Sequence, residues 1–134
     1  MNVRVAPGLL EEIIAHAKAC YPREGCGLLA GKQNTAERFI PMENTLSSET
    51  EYEMDPQRLL QELRSLRDSG EELVAIYHSH PFGTPRPSKR DVQFAYYPEA
   101  ACIIVSLAEP ERAKVGVFRI IEGEVLEVEV HAIV

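Results

Sequence analysis

An apolar run that ends in a His-Ser-His-Pro tetrapeptide constrains the fold of this chain more than any other stretch. Residues 72–77 (ELVAIY) predict a buried strand, and Pro81 prevents that strand from continuing in a sheet. Alternate side chains of a strand point to the same face, so His78 and His80 are expected to project together. The sequence therefore predicts a sheet with two imidazoles side by side at one rim.

Three helices are expected along the chain. Apolar residues at helical spacing predict the first from Pro7 to just before Tyr21-Pro22, since proline disfavours helix in the residue that precedes it. The second begins at Asp55, a favourable N-cap, and ends before Gly70, which suits the residue after a helix. Residues 88–97 predict a third, shorter helix.

Seven short apolar or alternating runs predict strands that are interleaved with these helices. They cover residues 2–6, 26–31, 37–42, 72–77, 101–107, 115–121 and 124–130. The last two are expected to form a hairpin around Glu122-Gly123. The final run is expected to be one strand with Leu126, Val128 and Val130 on one face and glutamates on the other. This order predicts an α/β (α+β) fold with a mixed sheet.

Length and charge exclude several classes of protein. A chain of 134 residues fits a single domain, residues 1–134. Its 14 Lys and Arg against 21 Asp and Glu give a net charge of −7, which disfavours nucleic-acid binding. No apolar run is long enough for a membrane span, and three cysteines without a CxxC pair suit a reducing compartment. We therefore expect a soluble cytoplasmic protein.

Ser88 and Asp91 follow the histidines and lie one helical turn apart. Asp91 could add an oxygen ligand to His78 and His80, because two histidines and one carboxylate, with a fourth position left for water, form a recurrent catalytic zinc site. Serine with an acid three residues later is equally a capping box, and an aspartate that caps a helix is less free to bind a metal. An i, i+2 pair of histidines can also be incidental. The residues alone leave these interpretations open.

Hydrolysis at such a centre needs a base, and Glu24 is the best candidate by context. It stands at the entrance of the glycine-containing apolar run 26–31, where backbones approach closely. A solvated surface acid is the alternative. Ser88 could donate a hydrogen bond to an oxyanion. The remaining histidines and two of the cysteines are expected to occupy structural or solvated places: His16, His131, Cys26 and Cys102.

Taken together, these residues resemble the signature of the JAMM (MPN+) metalloprotease family. That signature is H-[ST]-H-P-x(6)-S-x(2)-D, preceded by a glutamate in an E-x-x-G-x-L-x-G element, which EGCGLLAG matches from Glu24. The resemblance implies that His78, His80 and Asp91 are ligands of one Zn²⁺ per chain. It implies that Glu24 is the general base acting on the zinc-bound water and that Ser88 stabilises the oxyanion.

The same resemblance implies a fold and a substrate class. The family fold is a curved mixed sheet flanked by helices and related to the cytidine-deaminase scaffold, although the deaminase signature is absent here. Family members cleave the amide bond after the C-terminal Gly-Gly of ubiquitin-like proteins. The short chain resembles the stand-alone prokaryotic branch, whose expected substrates are sulfur-carrier proteins, including a carrier conjugated to cysteine.

The resemblance also suggests how a substrate would bind, and it leaves two alternative functions open. A Gly-Gly tail could add to an exposed strand edge, with residues 43–54 as a candidate border. One alternative is a zinc hydrolase of the same mechanism that acts on unrelated small peptides. Another is a non-catalytic MPN module that binds a protein partner.

Overall fold

The computed structural model of the protein describes residues 2–132 and shows an eight-stranded mixed sheet with helices packed against it. The strands are β1 (Asn2–Val5), β2 (Cys26–Lys32), β3 (Thr35–Met42), β4 (Glu72–His80), β5 (Ala101–Ser106), β6 (Lys114–Ile121), β7 (Glu124–Glu127) and β8 (Glu129–Ala132). The helices are α1 (Leu9–Cys20), α2 (Pro56–Asp68) and α3 (Lys89–Gln93), with a 3₁₀ turn at Pro110–Arg112. No described helix has the length and apolar character needed to cross a membrane.

The order of the strands forces the sheet to curve. It runs β7-β6-β5-β4-β2-β3-β1-β8, with parallel pairing of β4 to β5, β3 to β1 and β1 to β8. β7 and β8 lie at opposite ends of this order, yet only Val128 separates them along the chain. The two ends of the sheet must therefore approach each other, and the predicted α+β class with a curved mixed sheet is confirmed.

The prediction of one continuous final strand over residues 124–130 is wrong. β7 pairs with β6, whereas β8 pairs with β1 at the opposite end of the strand order. The chain therefore changes pairing partners at Val128. The faces consequently differ from the expected alternation, because Leu126 is 47% exposed while Val128 and Val130 pack against the core. Alternation of residue types predicts strands but does not show where a strand exchanges one partner for another.

A helix covers each face of the sheet. Buried residues of α1, such as Ile13, pack with Tyr77 of β4 and Ile103 of β5 in one apolar cluster. Leu66 of α2 packs with Leu28 of β2 in the other cluster. Alternation along β4 therefore directs Tyr77 toward the α1 face and the histidines that follow it toward the α2 face.

The helix ends match the sequence prediction closely for α2 and poorly for α3. Asp55 caps α2 by accepting a hydrogen bond from Arg58 N at 3.1 Å, and Gly70 follows the helix with φ of +75°. The predicted helix over 88–97 instead ends at Gln93. Pro98 disfavours helical backbone at Tyr97, which agrees with a helix that ends before that residue.

The N-cap of α2 gives a direct test of this helix. Asp55→Ala removes the acceptor for Arg58 N and is expected to lower the free energy of unfolding by about 1 kcal/mol. Asp68→Ala, at the opposite end of the same helix, is the matched control and should change it by less than about 0.5 kcal/mol. Urea unfolding followed by circular dichroism measures both, and equal losses would contradict the capping role.

Candidate metal centre

The last residues of β4 bring two imidazoles together in the interior. His78 Nε2 and His80 Nε2 are 3.0 Å apart, and His78 is 1% exposed and His80 8% exposed. β4 is a central strand between β2 and β5: His78 pairs with Cys26 of β2 and with Ile104 of β5, and His80 pairs with Ser106 of β5. The predicted side-by-side pair at the rim of the sheet is therefore present.

Asp91 points at both histidines from the first turn of α3. Its Oδ2 atom lies 3.1 Å from His78 Nε2 and 3.0 Å from His80 Nε2. The capping box is also present, because Asp91 N donates to Ser88 Oγ at 3.1 Å and Ser88 N donates to Asp91 Oδ2 at 2.8 Å. The expected competition between capping and approach to the histidines is not observed, since one carboxylate oxygen makes all three contacts.

The proton on His80 can be placed from its partners. Its Nδ1 lies 2.8 Å from the carbonyl oxygen of Thr84, which can only accept, so Nδ1 carries a proton and donates it. In the neutral ring Nε2 then presents a lone pair toward the Asp91 carboxylate, which also presents lone pairs. A positive charge between these atoms removes that conflict.

The pKa values of His80 and Asp91 show the same preference for a positive charge. Burial opposes a charge on His80, but its hydrogen bonds to Asp91 and Thr84 outweigh burial and raise its pKa. Burial acts against the Asp91 carboxylate as well, yet hydrogen bonds from His78 and His80 hold the pKa of Asp91 well below its usual range. Burial lowers the pKa of His78, whose Nδ1 has no hydrogen-bond partner among residues 2–132. Two imidazole nitrogens and a carboxylate oxygen form a donor set that can hold a metal ion.

Glu24 is the fourth polar group of the centre. Its residue is 4% exposed, and ligand atoms of Glu24, His78 and His80 all lie within 4.8 Å of one another. Burial raises the pKa of Glu24 to about 7, and the nearby His80 and Asp91 have opposing, smaller effects. The expectation of a solvated surface acid is therefore not met, because the carboxyl group faces the centre from inside the protein.

Ser79, which the sequence prediction left without a role, fixes the approach of Glu24. Gly25 N donates to Ser79 Oγ at 2.8 Å, and Ser79 N donates to Gly25 O at 3.0 Å. These two bonds attach the residue after Glu24 to the strand that carries the histidines. The signal was available, since a polar side chain between two inward-facing histidines must point to the opposite, buried face.

The proline-rich loop after β4 is held against the sheet by contacts with β5 and β6. Ser106 Oγ of β5 donates to Gly83 O at 2.6 Å. At Gly116 of β6 a Cβ atom would clash with the carbonyl oxygen of Pro85, so only glycine allows this approach. The two contacts flank Thr84, whose carbonyl oxygen accepts from His80, and they therefore fix the orientation of that imidazole.

A cavity of about 500 Å³ opens beside His78 and Asp91. Tyr52 lies at its wall with its ring stacked on that of His78, at a centroid distance of 4.6 Å and an interplanar angle of 24°. Further lining residues come from α2, from the segment after α3 and from β5, among them Leu59, Phe94 and Cys102. The end of residues 43–54 and the helix α3 both contribute to the lining of the cavity.

The other titratable candidates lie apart from the centre or are inert. His16 Nδ1 contacts the hydroxyl of Tyr77 at 3.1 Å, and exposed His131 lies near Glu129. Burial raises the pKa values of Cys26 and Cys102 to about 12, so both thiols stay protonated. Structural or solvated positions for these side chains agree with the sequence prediction.

A curved mixed sheet flanked by helices is the fold of the JAB/MPN domains, and the chain is a JAMM-type hydrolase. Residues 6–119 match a family model described as prokaryotic homologs of the JAB domain. The chain belongs to this family.

Three comparisons with other proteins agree with this assignment. The chain is 38% identical over 127 residues to the CysO-cysteine peptidase of Mycobacterium tuberculosis, covering 93% of this chain and 87% of that protein. It is 32% identical over 112 residues to the desampylase of Haloferax volcanii, covering 78% and 81%. A solved structure of a protein from Desulfitobacterium hafniense superposes with a TM-score of 0.86 at 32% identity, covering 99% and 93%.

Gly116 supplies a test of how the loop is held. A glycine in a strand normally gains stability on replacement by alanine, but Gly116→Ala is expected to cost about 1–3 kcal/mol because the new Cβ meets Pro85 O. Gly83→Ala, in the loop that Gly116 contacts, is the control, since its Cβ would meet His80 at an ordinary 3.5 Å. Its effect should stay below about 0.5 kcal/mol. Stabilisation by Gly116→Ala in denaturant unfolding would contradict the close approach.

Proposed function

We propose that this protein is a zinc peptidase that hydrolyses the amide bond after the C-terminal Gly-Gly of a ubiquitin-like or sulfur-carrier protein, including a carrier conjugated to cysteine. The observation that carries the proposal is the approach of His78 Nε2, His80 Nε2 and Asp91 Oδ2 to within 3.1 Å of one another beside buried Glu24. The named activities of the similar mycobacterial and haloarchaeal proteins support the substrate class.

His78, His80 and Asp91 would hold one zinc ion per chain. Glu24 is the competing third ligand, but Asp91 lies nearer to both imidazoles and its lowered pKa keeps it ionised. Glu24 has a raised pKa, which suits a group that exchanges a proton more than one that stays bound to a cation. Zinc held by these residues would lower the pKa of water to about 7 and would polarise a carbonyl group.

Glu24 would act as the general base and then as the general acid. The attacking water gives its hydroxyl to the terminal glycine carbonyl carbon, and its proton passes through the Glu24 carboxyl to the leaving nitrogen. The C–N bond then breaks, and the products are a carrier ending in a free carboxylate and a protonated amine. A carboxyl with a pKa of about 7 can both accept and release a proton near neutral pH.

Ser88 would stabilise the oxyanion that forms at the glycine carbonyl. Its Oγ atom accepts a hydrogen bond from Asp91 N, which fixes the hydroxyl at the start of α3. No residue in the described part of the chain accepts the hydroxyl proton, so Ser88 can donate it to the substrate. A donor of this kind typically contributes a few kcal/mol to the stability of the transition state.

The tail of the carrier would reach the centre along the side bordered by residues 43–54. The cavity lies beside His78 and Asp91 and is enclosed by that segment and by α3. A Gly-Gly tail has no side chains and can therefore pass close to the backbone at the border of the cavity. Main-chain hydrogen bonds would supply affinity for an extended tail.

The Glu24 substitution tests the catalytic proposal. Glu24→Gln removes the base but no proposed ligand, so turnover of a carrier–cysteine conjugate should fall by about 10²-fold or more while the zinc content stays that of wild type. Glu49→Gln is the matched control, because Glu49 is an exposed carboxylate within residues 43–54. Intact-mass spectrometry measures release of a carrier that ends in Gly-Gly.

Three outcomes would contradict the proposal. Wild-type turnover by Glu24→Gln would exclude the base role of this residue. Cleavage of short peptides without cleavage of any Gly-Gly conjugate would favour a hydrolase of unrelated small peptides. Zinc-loaded wild type that binds a carrier protein but cleaves nothing would favour the non-catalytic module.

A further inference from the structure

The side chain of Asn44 connects the backbone of Glu24 to the segment that borders the cavity. Asn44 Nδ2 donates to Glu24 O at 3.0 Å and to Glu51 O at 3.0 Å. Asn44 Oδ1 accepts from Leu46 N at 3.1 Å and from Glu53 N at 3.2 Å. These bonds use both N–H donors and both lone pairs of the amide, and only one orientation of the group satisfies all four partners.

The same segment, residues 43–54, also holds the amide of Glu24. Glu24 N donates to Ser48 O at 2.8 Å. Both backbone polar groups of Glu24 are therefore bound by residues 43–54, although Glu24 precedes β2 and has no strand pairing of its own. The position of its carboxyl group in the centre depends on this segment and on the Gly25–Ser79 bonds.

Residues 43–54 reach the metal centre a second time through Tyr52. The ring of Tyr52 is stacked on His78, and its two sequence neighbours, Glu51 and Glu53, are both partners of Asn44. One amide group thus fixes the backbone on each side of Tyr52 and the carbonyl group of Glu24. Loss of its donors would release Glu24 and Tyr52 together.

We propose that Asn44 is a positioning residue for catalysis, which holds the Glu24 carboxyl group and the Tyr52 ring in register with the histidines. The inference rests on the proposed function, in which Glu24 is the base. Asn44 contacts none of the proposed metal ligands and does not line the cavity, so its effect passes through the residues that it binds.

Asn44→Asp is the sharpest substitution, because it keeps the size and the acceptor but replaces both donors. A carboxylate oxygen would then face the carbonyl oxygens of Glu24 and Glu51. We expect kcat for the conjugate to fall by about 10- to 100-fold, with a smaller change in KM and with zinc content unchanged. Hydrogen exchange of the Glu24 amide, followed by NMR in the zinc-loaded protein, should become faster because its bond to Ser48 O weakens.

Ser69→Ala is the control outside the segment. Ser69 Oγ donates to Leu66 O at 3.1 Å, so this substitution removes a side-chain hydrogen bond to a backbone carbonyl group without touching Glu24 or residues 43–54. It should leave kcat within about twofold of wild type and the exchange of the Glu24 amide unchanged. Asn44→Ala, which adds no charge, replaces Asn44→Asp if that variant does not fold, and the same losses are expected.

The outcomes separate this inference from the proposed function. Equal losses of kcat in Asn44→Asp and Ser69→Ala, or unchanged exchange of the Glu24 amide in Asn44→Asp, would overturn the positioning role. Wild type that cleaves no conjugate would defeat the proposed function and the catalytic part of this inference. In that case the exchange rates still decide whether Asn44 fixes the position of Glu24.

Discussion

The structure depends on three polar atoms that crowd around one point. His78 Nε2, His80 Nε2 and Asp91 Oδ2 lie 3.0 to 3.1 Å from one another in a largely buried site, and the Thr84 carbonyl requires the His80 lone pair to face the other two. Lone pairs at this spacing repel unless a cation or a proton lies between them. The surrounding fold is organised so that the three atoms cannot move apart.

Each part of the centre is fixed by a different structural device. The histidines are held by a central strand with partners on both sides, and Asp91 is held by the capping box that begins α3. The loop after β4 is held by Ser106 and by the close approach at Gly116. Glu24, outside any strand, is held by the Asn44 side chain and the Ser48 carbonyl group, and its neighbour Gly25 is held by Ser79. The proposed ligands belong to regular structure, and the proposed general base belongs to a loop.

The sequence predicted those features that arise from local spacing. The i, i+2 histidines, the Ser88–Asp91 turn, the N-cap of α2 and the turn at Glu122-Gly123 all follow from periodicity and local conformational preference. The meeting of Glu24 with the histidines was suggested by the glycine-containing run that follows Glu24 and specified only by the resemblance to a family, because Glu24 lies 54 positions before His78.

Features that depend on which elements become neighbours were not predicted. The predicted final strand divides at Val128 because β8 pairs with β1 and β7 pairs with β6. No local sequence pattern marks that change of partner. Asn44 lies in a polar stretch that predicts only a loop, and the four partners of its amide are visible only in the folded chain. Gly116 resembles any strand glycine until Pro85 is seen against it.

The most direct measurement is metal content by mass spectrometry on protein purified without chelators, comparing wild type with Asp91→Ala and Ser88→Ala. Both substitutions break the capping box, but only the first removes a proposed ligand. The account predicts about one zinc per chain in wild type and in Ser88→Ala and loss of zinc in Asp91→Ala. Zinc retained in Asp91→Ala would show that Asp91 serves α3 alone and would contradict the account.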